Sequence, residues 1–124
     1  MKDIQNRDDL LFLMEAFYST MLKDEQIGYI FTEVAQLDLA HHLPMLADFW
    51  NNALFHTGGY KNNVVQIHKD LSEKEYLKPE HFARWQDLLK QTIDVHFKGE
   101  IAEKMKLRAS QVGMTIQAKL GHYS

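Results

Sequence analysis

Seven histidines and no cysteine set the chemistry open to this chain of 124 residues. Without thiolates there are no disulfides, no zinc-cysteine or iron-sulfur sites and no thiol nucleophile, so any metal is held by histidine, carboxylate, methionine or tyrosine. His56, His81, His96 and His122 sit beside loop, polar or charged residues and are read as solvated, with no role assigned. His41 and His42 are adjacent, and successive helical positions point about 100° apart, so only one of them faces inward. The stripe through Leu39, Leu46 and Phe49 selects His42. In VVQIHKDL, residues 64 to 71, Val64, Ile67, His68 and Leu71 share a side, which turns the His68 imidazole into the apolar layer. A single histidine in that setting is more often a hydrogen-bonded core residue than a ligand. Two inward histidines and an inward Tyr18 are harder to bury, because each unsatisfied polar tip costs about 1–3 kcal/mol. A polar core and an enclosed ligand both remain open on these grounds.

Two metal chemistries suit histidines on helices. A di-iron bundle needs several His and carboxylates at matched offsets on four helices. Here Asp70 and Glu73 follow His68 at offsets of two and five and do not share its face, so that pattern is poorly met. A haem asks for less: one neutral imidazole on iron, flat aromatic and aliphatic walls, and one or two polar groups opposite. The chain has residues for all three.

The elements that position these side chains are helices. Only two prolines and six glycines interrupt the sequence, no alternation of strand type persists, and most of it repeats near 3.6 residues. An all-α protein follows. The first helix is expected to start near Asp8 or Asp9, as N-cap, and to carry Leu10, Met14, Phe17, Tyr18 and Met21 on one side. After the polar turn KDEQ and Gly28 comes a short apolar piece, Ile30 and Phe31. A second long helix begins around Asp38 with Leu39, His42, Leu46, Phe49 and Ala53 on one face; Pro44 requires either a start shortly before it or a bend. Gly58 is the expected left-handed cap, and the short VVQIHKDL helix follows. Pro79 opens a helix with Phe82, Trp85, Leu89 and Ile93 inward, ended by Gly99; the last runs from about Glu100 to Leu120, with Ile101, Met105, Ala109, Val112, Ile116 and Leu120 inward and Gly121 after it.

The length suits one domain, residues 1–124, with 45% hydrophobic and 25% charged residues. A net charge of -3 leaves no basic surplus for a phosphate backbone, which argues against nucleic acid. The opening MKDIQNRDDLLF carries acids and amides where a secretory signal needs an apolar run, and no stretch approaches membrane-spanning length. A cytoplasmic protein, without a membrane partner, is the expectation.

The ordered strings AFYSTML with Tyr18, IGYIF with Phe31, LAHHLPMLADFW with His42 and Trp50, TGGYK, VQIHKDL with His68 and LKPEHFARW with Phe82 and Trp85 extend over nearly the whole chain. Their order and spacing resemble the truncated, two-over-two haemoglobins, most closely the third group. The resemblance implies a truncated-globin fold, two helices over two around haem b, with His68 as the proximal iron ligand. It implies that Tyr18 is the distal hydroxyl, His42 the residue at the distal gate and Trp85 the distal tryptophan. The resemblance further implies that Phe31 packs on the haem and that Leu46, Phe49, Ile67 and Phe82 line the cavity. Tyr60, Lys61 and Arg84 lie on segments suited to the haem propionates.

Such a pocket implies reversible binding of O2, NO or CO by a monomer, with the hydroxyl and the indole N–H holding polarised oxygen more firmly than CO. The other reading is an enzyme that oxidises NO to nitrate or works on peroxide, fed by an external reductase because the chain has no reductase domain. Outside the resemblance, a non-haem helical metal-binding domain is the alternative.

Overall fold

The structure, a computed structural model, describes residues 1–30, 38–56 and 78–119. Four helices are present among them: α1 (Arg7–Met21), α2 (Leu39–Phe55), α3 (Pro79–His96) and α4 (Glu100–Lys119). Helix α1 packs on α2 and α3 on α4, while α1 lies over α3 and α2 over α4. The fold is all-α, two helices over two. No helix among the described residues is long and apolar enough to cross a membrane.

Helix α1 starts slightly earlier than expected. Asn6, not Asp8 or Asp9, is the N-cap: its side-chain oxygen accepts from the Asp9 N–H at 3.0 Å. Asp9 reaches back in turn and accepts from the Gln5 N–H at 2.9 Å. Several residues of the NRDD run can cap, and the two acids are used better in the first turn, against the positive end of the helix. The inward face is the expected one, with Leu10, Met14, Phe17, Tyr18 and Met21 buried and Leu13 added to them.

Helix α2 is capped by Asp38, whose carboxylate accepts from the Ala40 N–H at 3.2 Å. It begins well before Pro44 and runs on through it. The C-cap is His56, at φ 58° and ψ 43°, rather than Gly58, which lies outside the described residues. His is among the few side chains tolerated in the left-handed region. Lys104 Nζ from α4 donates to the Leu54 carbonyl at 3.3 Å, closing the negative end of α2 with a cation.

Pro79 opens α3, as expected, and Phe82, Leu89 and Ile93 are buried. His81 is more than a solvated residue here: its Nδ1 accepts from the Lys78 N–H at 3.1 Å and so closes the first turn. Helix α3 ends at His96, before Gly99. His96 is half-buried and meets Phe12 edge-on at 4.9 Å between ring centres.

The cap of α4 comes from the other end of the chain. Asp3 accepts from the N–H groups of Ile101 (2.8 Å) and Ala102 (2.9 Å), and from its neighbour Ile4 (2.8 Å). Gly99, at φ 150°, passes so close that a Cβ would strike the Asp3 side chain. The inner face of α4 is Ala102, Met105, Ala109 and Ile116, with Ile101 and Val112 half-buried; Leu120, Gly121 and His122 lie outside the described residues.

Candidate functional site

Tyr18 stands at the start of the last turn of α1, 4% exposed, with its ring inside the core. Its hydroxyl is 2.8 Å from Nε2 of His42, which α2 presents across the α1–α2 interface. Burial pushes the Tyr18 phenol up, well above its ordinary range, so the group stays protonated at neutral pH. His42 is half-buried while its neighbour His41 is exposed, so the stripe through α2 identified the inward histidine correctly.

The rings continue from this pair. Phe17 lies edge-on to Tyr18 at 5.5 Å and to Trp85 at 6.2 Å between ring centres, so one phenyl touches both the hydroxyl-bearing ring and the indole. Trp85 is half-buried on α3, and among the described residues no acceptor takes its indole N–H. Phe82, one turn earlier, is buried.

Helix α2 has two apolar faces. Ala47, Trp50 and Leu54 are buried against the other helices. Leu39, His42, Leu46, Phe49 and Ala53, the stripe expected to face the core, are only half-buried. The two rows are about one residue, or 100°, apart around the helix, and periodicity alone does not say which is covered by protein and which by something else. Tyr18 and His42 give the half-covered side its polar point.

The structure therefore brings Tyr18, His42, Leu46, Phe49, Phe82 and Trp85 onto α1, α2 and α3 of one bundle. Phe31, Tyr60, Lys61, Ile67 and His68 lie outside the described residues. Arg84 has another partner: its Nε and Nη2 donate to Asp24 Oδ1 at 2.9 and 2.6 Å. Asp24, in the turn after α1, was missed by sequence reasoning. It sits in a polar turn of ordinary appearance, 60 residues from its partner, and no local pattern signals the bond. The guanidinium beside it holds its carboxyl below the usual carboxylate range, against the opposing effect of burial.

A second clasp joins α1 to α2. Arg7 Nε donates to Asp48 at 2.7 Å and its Nη2 to the Pro44 carbonyl at 3.2 Å. That carbonyl lies two residues beyond His42, so the start of α1 and the Tyr18–His42 pair fix α2 at neighbouring turns.

The chain is similar to the group 3 truncated hemoglobin ctb of Campylobacter jejuni, 25% identical over 121 residues, which are 95% of this chain and 93% of that protein. The crystal structure of a group III truncated hemoglobin from Campylobacter jejuni superposes with a TM-score of 0.82 at 24% identity, covering 95% of this chain and 94% of that one. No family model matches. The fold is thus that of a truncated haemoglobin, and the resemblance carried by the ordered strings is found again in whole-chain sequence and in three dimensions.

Proposed function

We propose that this relative of the group III truncated haemoglobins is a haem b protein, one truncated-globin domain acting as a cytoplasmic monomer, that reversibly binds a diatomic gas, O2 foremost. The observation that carries this reading is the buried Tyr18 hydroxyl paired with His42 at 2.8 Å beside the half-covered stripe of α2. A helix with one apolar face packed into the bundle and a second left half-covered fits a flat apolar group better than a finished protein core. The donor set fits as well: an imidazole for iron in His68, aromatic and aliphatic walls, and polar tips opposite.

When bound, haem would supply an iron able to take a diatomic gas as a ligand. His68 is the residue that would hold that iron. Phe31, Leu46, Phe49, Ile67 and Phe82 would wall the group and exclude water from it. Tyr60 and Lys61 would take its propionates, while Arg84 is engaged by Asp24.

The distal residues act through protons. With the His42 proton on Nε2, the imidazole donates to the Tyr18 oxygen, and the phenol proton is directed away from His42. A ligand atom with partial negative charge then accepts that proton, a bond worth about 1.5–3 kcal/mol. Trp85 offers a second N–H, its ring and that of Tyr18 both packed on Phe17. Both groups discriminate by charge, so O2 gains more than CO.

The presence of two donors also favours a second reading, oxidation of NO to nitrate or reaction with peroxide, with an external reductase restoring the ferrous state. Reduction of the haem-loaded protein, exposure to O2 and removal of O2 test the first reading: a visible spectrum that changes and returns supports it, and irreversible bleaching counts against it. Nitrate formed repeatedly on adding NO in the presence of a reductant would favour the enzyme.

A further inference from the structure

Asp24 takes four hydrogen bonds on a side chain only 6% exposed. Arg84 Nε and Nη2 donate to Oδ1 at 2.9 and 2.6 Å, and the N–H groups of Gln26 and Ile27 donate to Oδ2 at 3.1 and 3.2 Å. A carboxylate so enclosed persists only when both oxygens are engaged, and a guanidinium and a turn engage it in fixed directions. One oxygen therefore freezes the turn that follows the Tyr18 end of α1. The other binds α3 at the residue before Trp85.

A second contact supports the same join. Tyr29 meets His81, in the first turn of α3, edge-on at 6.5 Å between ring centres. Gly28 lets the turn close, since a Cβ there would lie 2.7 Å from the Leu22 carbonyl oxygen. In the core, the buried Phe17 ring contacts both Tyr18 and Trp85. The two donor-bearing residues thus share a ring contact, and an ion pair ties the turn after α1 to α3.

We propose that the Asp24–Arg84 pair is a positioning clamp for the distal donors: it sets where the Trp85 indole stands relative to the Tyr18 hydroxyl, and so sets the preference of the site for a polar diatomic ligand over an apolar one. The clamp rests on the gas-binding reading above. Neither residue touches the ligand. Their effect passes through Trp85.

The test uses the full chain, loaded with haemin and reduced, with Asp24→Asn as the main variant. Asn keeps the size of Asp but replaces one acceptor oxygen by a donor, so either Arg84 or the turn loses its partner. Asp24→Asn is expected to take up haemin like the wild type and to raise the ratio of O2 to CO dissociation rates by at least about threefold. Combined with Trp85→Phe it adds nothing further, because the effect is routed through the indole. In the haem-free protein with Trp50→Phe, the Trp85 fluorescence shifts to longer wavelength when Asp24→Asn is added.

Arg84→Lys, which keeps the charge and loses the fork, gives a smaller change in the same direction and serves where Asp24→Asn fails to fold. An unchanged ratio at normal haemin uptake, or effects of Asp24→Asn and Trp85→Phe that add, overturns the clamp and leaves the gas-binding reading intact. Loss of haemin uptake in Arg84→Lys but not in Asp24→Asn also overturns it, by returning Arg84 to the propionates. A wild type that takes up no haemin overturns the reading and the clamp with it.

Discussion

The Tyr18 hydroxyl and His42 Nε2 lie 2.8 Å apart across the α1–α2 interface, one on a fully buried ring and the other on a half-buried one. A phenol that ends in the core with a histidine as its partner is neither a simple packing residue nor a surface one. It is a protonated phenol beside the half-covered stripe of α2.

Replacing Tyr18 by Phe keeps the packing and removes the donor. In the reduced, haem-loaded protein we expect O2 dissociation to accelerate by about tenfold to a hundredfold, the equivalent of one charge-assisted hydrogen bond, with CO dissociation changed far less. Flash photolysis and stopped-flow measurements read both rates. Equal and small changes would count against donation from Tyr18.

The same burial makes stability depend on alkaline pH. Because the folded phenol holds its proton above the ordinary value of 10.0, the unfolded chain loses a proton first as pH rises. The contribution is therefore fully present below about pH 10 and declines above it. Denaturant titrations across that range should show a steeper alkaline loss in the wild type than in Tyr18→Phe; parallel curves would contradict the assignment.

Asp24 works at the other end of the scale. Arg84 depresses its folded carboxyl below the unfolded value, so its contribution is present above the ordinary carboxyl value of 3.8 and is lost as pH falls through the lower, folded value. Asp24→Asn should lower stability at neutral pH, by less than the loss of a fully buried pair because Arg84 is 37% exposed and solvent screens it. The variant's stability should also respond less to acid than that of the wild type.

Asp3 predicts a tertiary cap. Asp3→Ala removes the acceptor for the Ile101 and Ala102 N–H groups and should cost about 1–2 kcal/mol, with hydrogen exchange rising first at those two amides. Gly99→Ala should be at least as damaging, since its φ of 150° and its closeness to Asp3 both exclude a Cβ. Normal protection at Ile101 in Asp3→Ala would show that the cap is not needed.

Local features were legible in the sequence and distant ones were not. The α1 face, the Asp38 cap, Pro79 at the head of α3 and the choice of His42 over His41 all follow from helical spacing and capping chemistry. The first N-cap fell on Asn6 because the NRDD run holds several competent residues, and His56 took the cap expected of Gly58 because a left-handed φ is open to histidine too. The half-covered state of Leu39, Leu46 and Phe49 had no sequence signal, since an apolar stripe looks the same whether protein or a ligand covers it. Pairs such as Asp24 with Arg84, or Asp3 with the head of α4, join residues 60 and 99 positions apart and become visible only once the helices are packed.

The central claim, that these helices enclose a haem whose iron is held by His68, is tested most directly by titrating haemin into the wild-type chain and into His68→Ala side by side and recording the Soret band. We expect the wild type to saturate at one haem per chain with a sharpened, shifted band, and His68→Ala to give the broad spectrum of loosely held haemin. A wild type that leaves the haemin spectrum unchanged, or a His68→Ala spectrum identical to that of the wild type, would contradict it.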